Sequence, residues 1–306
     1  MHSDEPRIVG LGIACLDHVF VTSQTRGAGQ GELLSHVTEG GGLVATALAA
    51  AARLGARAQI ITWVGDDEAG SAVLKGLQDE GIDVSLAAVV PGGETAVSFV
   101  QVEADTGERT IYHKRGVEAE ATQAKEALRL LQQADVALVD GVWPRASLPF
   151  SRRMKELGIP VVGDFCPDPA RRELAWLADA LIVSQECSQR LFPEGSWETR
   201  LRGLAAKGPT FVGITAGEEG CYWLSDGEPH HHQAFHVEVV DTTGAGDVFH
   251  GAFAYGLARE WGYERCVEFA SAAAALSCRV LGGRKGMPTL REVERMMARG
   301  ASEQQA

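Results

Sequence analysis

The stretch Asp241-Thr242-Thr243-Gly244-Ala245-Gly246-Asp247-Val248-Phe249-His250-Gly251 decides how this chain of 306 residues is read. Ahead of it, Phe235-His236-Val237-Glu238-Val239-Val240 has the pattern of a strand. Behind it, an Ala-, Phe- and Leu-rich run to about Arg259 has helical spacing. Between the two, Gly244 and Gly246 let the backbone approach a ligand and adopt angles closed to other residues. The free N–H groups at a helix start face outward and favour negative charge. Asp247 falls in that first turn, a carboxylate where a phosphate would otherwise bind. The placement makes sense if Asp247 takes a proton from a hydroxyl while the amides of Gly244, Ala245 and Gly246 stabilise a transferring phosphoryl group. A strand–turn–helix corner with glycines for packing is the plain structural alternative.

Composition narrows the field. A hydrophobic content of 45% is ample for a buried core, and the length suits one large α/β domain over residues 1–306. A formal charge of −13 argues against nucleic acid and acidic membranes as partners, although a nucleotide needs only a local pocket. No apolar run approaches 18 residues and the start has no signal-peptide pattern, so the expected location is cytoplasmic. Six scattered cysteines without a C-x-x-C pair suggest reduced thiols.

In chain order, Ile8–Ala14 reads as a central strand, and its Gly10-x-Gly12 lacks the third glycine of a dinucleotide fingerprint. Asp17 follows at the edge where open α/β sheets bind ligands, with a plain surface carboxylate as the alternative. Gly40-Gly41-Gly42 opens a helix over Leu43–Leu54, and Gln59–Val64 reads as one buried strand. Asp66 and Asp67 read as caps to the next helix, not as a metal site. Residues 18–38 read as extended, and Thr95–Glu103 with Arg109–His113 as a β-hairpin. These segments, about 18–38 and 95–115, would make a small sheet that covers the site. His113, Lys114 and Arg115 at its end could meet an anionic group, or form a solvated charge run.

From Ala134 onward strands at 136–139, 160–164, 180–183 and 210–215 alternate with helical stretches, which implies a parallel sheet with helices on both faces. Thr215-Ala216-Gly217-Glu218-Glu219-Gly220 follows one of these strands and suits a loop under a nucleotide. His230-His231-His232 makes a poor metal site, because neighbours on a strand face opposite ways. Ala274 and Cys278, on a helix over Glu264–Leu281, could wall an adenine pocket or simply pack the core. Thr289 reads as the cap of a last helix, and the polar tail beyond Arg299 as disordered. No G-x-x-x-x-G-K-[ST] sequence occurs, so phosphate binding falls to Gly244–Asp247.

Asp241–Asp247 resembles the C-terminal signature of the ribokinase-like (PfkB) carbohydrate kinases, and Gly40–Gly42 stands where that family has its first motif. The resemblance runs from Arg7 to about Ala298. Within the family, Val248–Gly251 and Gly282-Gly283-Arg284 look most like the sulfofructose kinase and ketohexokinase branch. It implies a three-layer α/β/α sandwich with a mostly parallel central sheet and a small β-sheet lid that pairs the chain into a homodimer. The implied activity is transfer of the γ-phosphoryl group of ATP to a hydroxymethyl group of a ketose-type sugar, sulfonated ketoses such as sulfofructose included. The alternatives are ribose, a sugar acid such as 2-keto-3-deoxygluconate, a nucleoside, or a sensor without catalysis. The resemblance puts Asp17, Gly41, Gly42, Thr46, His113 and Asp247 on the sugar. It puts Thr215, Gly217, Gly220, Ala274 and Cys278 on ATP, Mg²⁺ on the phosphates mostly through water, and a monovalent cation such as K⁺ near Asp241 and Thr243. Two departures weaken parts of this pattern: Leu43 and Thr46 replace the Lys or Asn and the Asn of the first motif. Ser184 and Cys187 fall where the family has Asn-x-x-Glu.

Overall fold

Two sheets organise the computed structural model, which describes residues 5–23, 32–105, 109–119, 127–129 and 133–303. The large sheet holds β1 (Arg7–Leu11), β4 (Arg57–Ile61), β9 (Val136–Val139), β10 (Val161–Asp164), β11 (Ala180–Ser184), β12 (Phe211–Thr215), β13 (Cys221–Ser225) and β14 (Glu228–His232). Their order is β14-β13-β12-β11-β10-β9-β1-β4, parallel from β12 to β4 and antiparallel only at β13 and β14. Strands buried on both faces need no polar alternation, and Val136-Ala137-Leu138-Val139 of β9 is fully buried throughout.

Successive residues of these strands enter two separate cores, as a period of two requires. On one face Ile8, Leu138, Val162 and Ile182 pack with α1 (Leu43–Arg53), α7 (Ala245–Ala258) and α8 (Tyr263–Ser277). On the other face Val9, Val139, Val161 and Leu181 pack with α3 (Pro144–Glu156), α4 (Arg172–Leu177) and α6 (Trp197–Ala205). The result is a three-layer α/β/α arrangement. Helices α2 (Glu68–Asp79), α5 (Gln185–Leu191) and α9 (Leu290–Glu303) lie beside these layers.

The small sheet has the order β3-β2-β7-β8, with β2 at Cys15–Thr22, β3 at Leu33–Gly41, β7 at Val97–Glu103 and β8 at Arg109–Lys114. Asp17 stands opposite both Glu39 and Ser98, and Ser98 opposite His113, so these four share one face. His18, Thr38, Phe99 and Tyr112 share the other, where Phe99 and Tyr112 stay 44% and 58% exposed. Parts of the expected lid, residues 24–31 and 106–108, lie outside the described residues.

Several local expectations need correction. Gln59–Val64 is two strands, because Thr62 breaks the run and β5 (Trp63–Gly65) leaves to pair with β6 (Ala88–Val90) in a sheet of its own. Phe235–Val240 forms no strand: Val239 and Val240 are exposed, and Val240 N and Asp241 N bond to Cys278 O instead. The chain past Arg299 continues as helix to Glu303. The thiols are not all free, since Cys166 and Cys187 form a disulfide. Cys166 follows β10, and Cys187 lies in the first turn of α5, which follows the neighbouring parallel strand β11 directly. Cys15, Cys221, Cys266 and Cys278 are free and buried.

Asp67 does cap α2, its carboxylate accepting from Gly70 N at 2.8 Å and from Thr95 Oγ1 at 2.5 Å. Thr289 donates its N–H and hydroxyl to Glu292 at the start of α9. The close approach of α1 and α7 rests on Gly251, where any Cβ would overlap the backbone carbonyl of Ala47. Gly251→Ala therefore must push the two helices apart and should lower stability by about 1–3 kcal/mol, the usual scale of overpacking. Urea unfolding of the purified variant measures it, and an unchanged midpoint would show that the helices have room.

Candidate active site

The candidate site lies at the C-terminal edge of the parallel strands, where β1, β9 and β10 end and the N-termini of α1 and α7 point inward. Gly244 caps α7 in the left-handed region, with φ 73°, and its Cα side lies against Gly283. A residue with a side chain would be strained there. Gly246 faces open space, so its backbone is accessible to a ligand. Of the three amides, Ala245 N already makes a long 3.3 Å bond to Thr242 O. Asp247 sits in the first turn of α7, where the helix dipole favours its ionised form.

The surroundings of Asp247 work the other way. Burial raises its pKa well above the ordinary carboxylate value, and the negative charges of Asp164, Asp17 and Asp140 add to the rise while Arg284 opposes it. Asp164 ends β10 and is itself raised by burial, with His250 opposing. Asp140 follows β9, accepts from Ile13 N at 2.7 Å and Val142 N at 2.9 Å, and is pushed up to about 7 by burial. Carboxylates gathered close together hold protons more tightly than any member would alone. A carboxylate held in this way is a stronger base, once ionised, than a solvent-exposed one.

His250 links this cluster to the strand below it. Its Nδ1 is 2.7 Å from Gly246 O and 3.5 Å from Asp164, and its Nε2 is 3.1 Å from Ile182 O. Arg284 does the same for the first motif. Buried to 7% exposure, it donates to Gly41 O at 3.0 Å, Thr46 Oγ1 at 3.4 Å and Glu80 at 3.0 Å. Thr46 is thus engaged by a guanidinium from a distant loop.

Asp17 lies against Gly41, where a Cβ would overlap its carboxylate, and Gly42 opens α1 with φ 95° against the Ile13 carbonyl. Asp17, Gly41, Gly42 and Asp247 therefore converge. His113 meets this group only at a distance. Its Nδ1 pairs with Ser98 Oγ at 3.1 Å, and Ser98 is 3.8 Å from Cys15, which contacts Asp17.

The residues expected on a nucleotide lie on two elements, the turn after β12 and the C-terminal end of α8. Thr215 ends β12 beside Ser184 of β11. Gly217 (φ 55°) and Gly220 (φ 89°) bound the turn after it, and a Cβ on Gly220 would overlap His232 O. Ser184 caps α5 by accepting from Cys187 N. Cys278 is buried, with its Sγ 3.2 Å from Ala274 O, and its own carbonyl receives Val240 N and Asp241 N. This ties the α8 end to the glycine motif. Asp241 is buried, its Oδ1 accepting from Thr243 N and Oγ1 and its Oδ2 from Gly282 N.

Asp140, Asp164, His250, Glu39 and Arg284 were not singled out as site residues from the sequence. The signal for the first two was available, since each Asp directly ends an apolar strand at the ligand-binding edge. Glu39, opposite Asp17, also receives Gly283 N, and burial raises its pKa. Among the described residues no group of three or more His, Cys, Asp or Glu is arranged to hold a metal. A cavity of about 680 Å³ at Arg7, Ala56, Arg57 and Gln59 opens at the opposite edge, where the strands begin, and belongs to no such cluster. Asp164→Asn removes the largest repulsion on Asp247. The Asp247 carboxyl should then titrate at lower pH, as followed by carbon NMR of labelled carboxylates, and an unmoved titration would separate the two groups.

The pfkB family carbohydrate kinase model matches residues 5–290. The ribokinase of Bacillus subtilis is 30% identical over 293 residues, covering 94% of this chain and 98% of that protein. The 2-dehydro-3-deoxygluconokinase of Thermoproteus tenax is 28% identical over 81% of this chain and 82% of its own length. A crystal structure from Agrobacterium tumefaciens, provisionally described as a ribokinase, superposes with a TM-score of 0.87 at 32% identity, covering 97% and 99% of the two chains. These relatives do not carry the sulfofructose kinase or ketohexokinase names that two stretches suggested. Both stretches have packing roles here: Gly251 meets α1, and Arg284 anchors Gly41 and Thr46. A site of this geometry on this fold, matched along almost the whole chain, identifies the protein as an ATP-dependent carbohydrate kinase of the pfkB family.

Proposed function

We propose that this kinase phosphorylates a hydroxymethyl group of a sugar of ribose size or of a sugar acid. The observation that carries the reading is that Asp247, in the first turn of α7 behind the glycine turn, lies close enough to Asp17 to feel its charge. Asp17, with Gly41 and Gly42 beside it, holds sugar hydroxyls. Asp247 takes the proton from the attacking hydroxyl, and the amides of Gly244, Ala245 and Gly246 meet the charge that develops on the phosphoryl group. The raised pKa of Asp247 makes it a stronger base once ionised. Relatives named as ribokinases and a 2-dehydro-3-deoxygluconokinase put ribose and sugar acids ahead of the ketose or sulfonated ketose.

Thr215, Gly217, Gly220, Ala274 and Cys278 form the proposed ATP site. A related Escherichia coli structure was solved in complex with ATP and Mg²⁺. Mg²⁺ would arrive on the phosphates and neutralise their charge, needing few protein ligands, which fits a site without a carboxylate cage. Asp241 and Thr243 offer only oxygen near the glycine turn, and Oδ2 of Asp241 has accepted one donor, so it keeps a lone pair for a monovalent cation such as K⁺. The whole chain would act as one kinase domain, with β2, β3, β7 and β8 as its lid.

Asp247→Asn should retain ATP binding by calorimetry and lose about a hundredfold or more in turnover. In the wild type, kcat/KM should rise with pH along a limb above the ordinary carboxylate range, because Asp247 must lose its proton to act and its pKa is raised. Near-normal turnover by the variant would remove Asp247 as the base.

The lid's exposed face, with Leu33, Leu34, Phe99 and Tyr112, fits pairing with a second copy. Light scattering at micromolar concentration should give twice the 32.6 kDa chain mass, and charged substitutions at Phe99 and Tyr112 should return a monomer. A monomeric wild type would reject the pairing.

A further inference from the structure

A second pocket, about 230 Å³, opens under the base of the lid and is lined by Ile13, Trp63, Trp143, Arg115 and Arg171 among others. It adjoins the sugar cradle through Ile13, whose N–H bonds Asp140 and whose carbonyl lies against Gly42. The pocket is smaller than the roughly 300–1,000 Å³ of sites for drug-sized ligands, and suits the end of a molecule held mainly elsewhere.

Its chemistry is selective. Trp63 and Trp143 meet edge to face, with ring centroids 5.4 Å apart, and are only 3% and 5% exposed. Neither offers a broad open face on which a nucleobase could stack. The indole Nε1–H of Trp63 is buried with no acceptor, a costly arrangement unless a ligand supplies one. Arg115 lies on the wall with no hydrogen bond or ion pair among the described residues. Arg171 is occupied, donating to Gly141 O at 2.9 Å and to Asp168 at 2.5 Å, and Glu118 is the one carboxylate on the lining. Arg115 follows β8 directly and is held at the lid base, where Val117 N bonds Glu94 O at 2.9 Å. A free cation and an orphaned donor beside a sugar site call for an oxyanion.

We propose that this pocket receives an anionic group at the end of the sugar remote from the phosphorylated hydroxyl, paired with Arg115 and accepting from Trp63 Nε1–H. This rests on the sugar-kinase reading and names its substrate class as an acidic sugar: carboxylate, sulfonate and phosphate share the required chemistry. The missing donors at Leu43 and Thr46 agree with it, since binding energy lost at the hydroxyls is supplied at the far end.

The test compares kcat/KM for ribose, a nucleoside, a 2-keto-3-deoxy sugar acid, a sulfonated ketose and a ketose phosphate, with tryptophan fluorescence titration of each compound in parallel. One or more acidic sugars should exceed ribose by about tenfold or more, the scale of a charge-assisted bond. Arg115→Gln should reduce the acid-to-ribose ratio by at least about tenfold, chiefly through KM, and Arg115→Lys should restore much of it. Which anion wins identifies the source. Ribose or the nucleoside as the best substrate, or an unchanged ratio in Arg115→Gln, would overturn the proposal and leave the kinase reading standing. ATP-dependent turnover of none of them would count against the kinase reading. In that event fluorescence decides the pocket: acid binding that Arg115→Gln weakens supports it, and absent binding rejects it.

Discussion

The electrostatic balance around Asp247 is the constraint on which the rest of the site depends. Asp17, Asp140 and Asp164 come from three other parts of the chain, and their charges all act on Asp247. Such a gathering is unfavourable for folding, because each charge raises the cost of its neighbours. It is tolerated because the backbone supplies compensation: Ile13 N and Val142 N to Asp140, the α7 N-terminus to Asp247, and the buried guanidinium of Arg284 nearby. Strain of this kind is what a catalytic cavity needs, since a base must hold its proton tightly enough to matter.

The scaffold gives that cavity its rigidity. Parallel strands with no exposed face deliver their C-terminal ends to one edge, and two helices approach closely enough that glycine is required between them. Arg284 extends this by joining the loop after α8 to the first motif and to Glu80 on α2. Removing one partner from such a buried network costs more than the bond itself, because the others are left unsatisfied.

The lid couples the two halves of the site. Asp17 lies within β2 itself, and a chain of polar contacts runs from His113 through Ser98 and Cys15 to it. Movement of the small sheet would therefore shift the sugar-binding carboxylate as well as close the cavity. The disulfide between Cys166 and Cys187 joins the loop after β10 to the first turn of α5, which follows β11 directly. It holds the segment beyond Asp164 against the start of α5.

The sequence by itself determined the layered α/β class, the glycine turn before α7, the lid hairpin and the roles open to Asp17 and Asp247. These are legible because strand runs, helix spacing and glycine turns are local patterns with local physical causes. It misplaced Phe235–Val240 as a strand, because alternation cannot say whether a partner edge is within reach. The tertiary structure alone decided that Asp140 and Asp164 join Asp247, that Arg284 reaches Thr46, and that Cys166 meets Cys187. Those residues are 21 to 238 positions apart, and only strand order brings their ends to one edge. Charge repulsion, burial and pairing depend on distance in space, which no window along the chain contains.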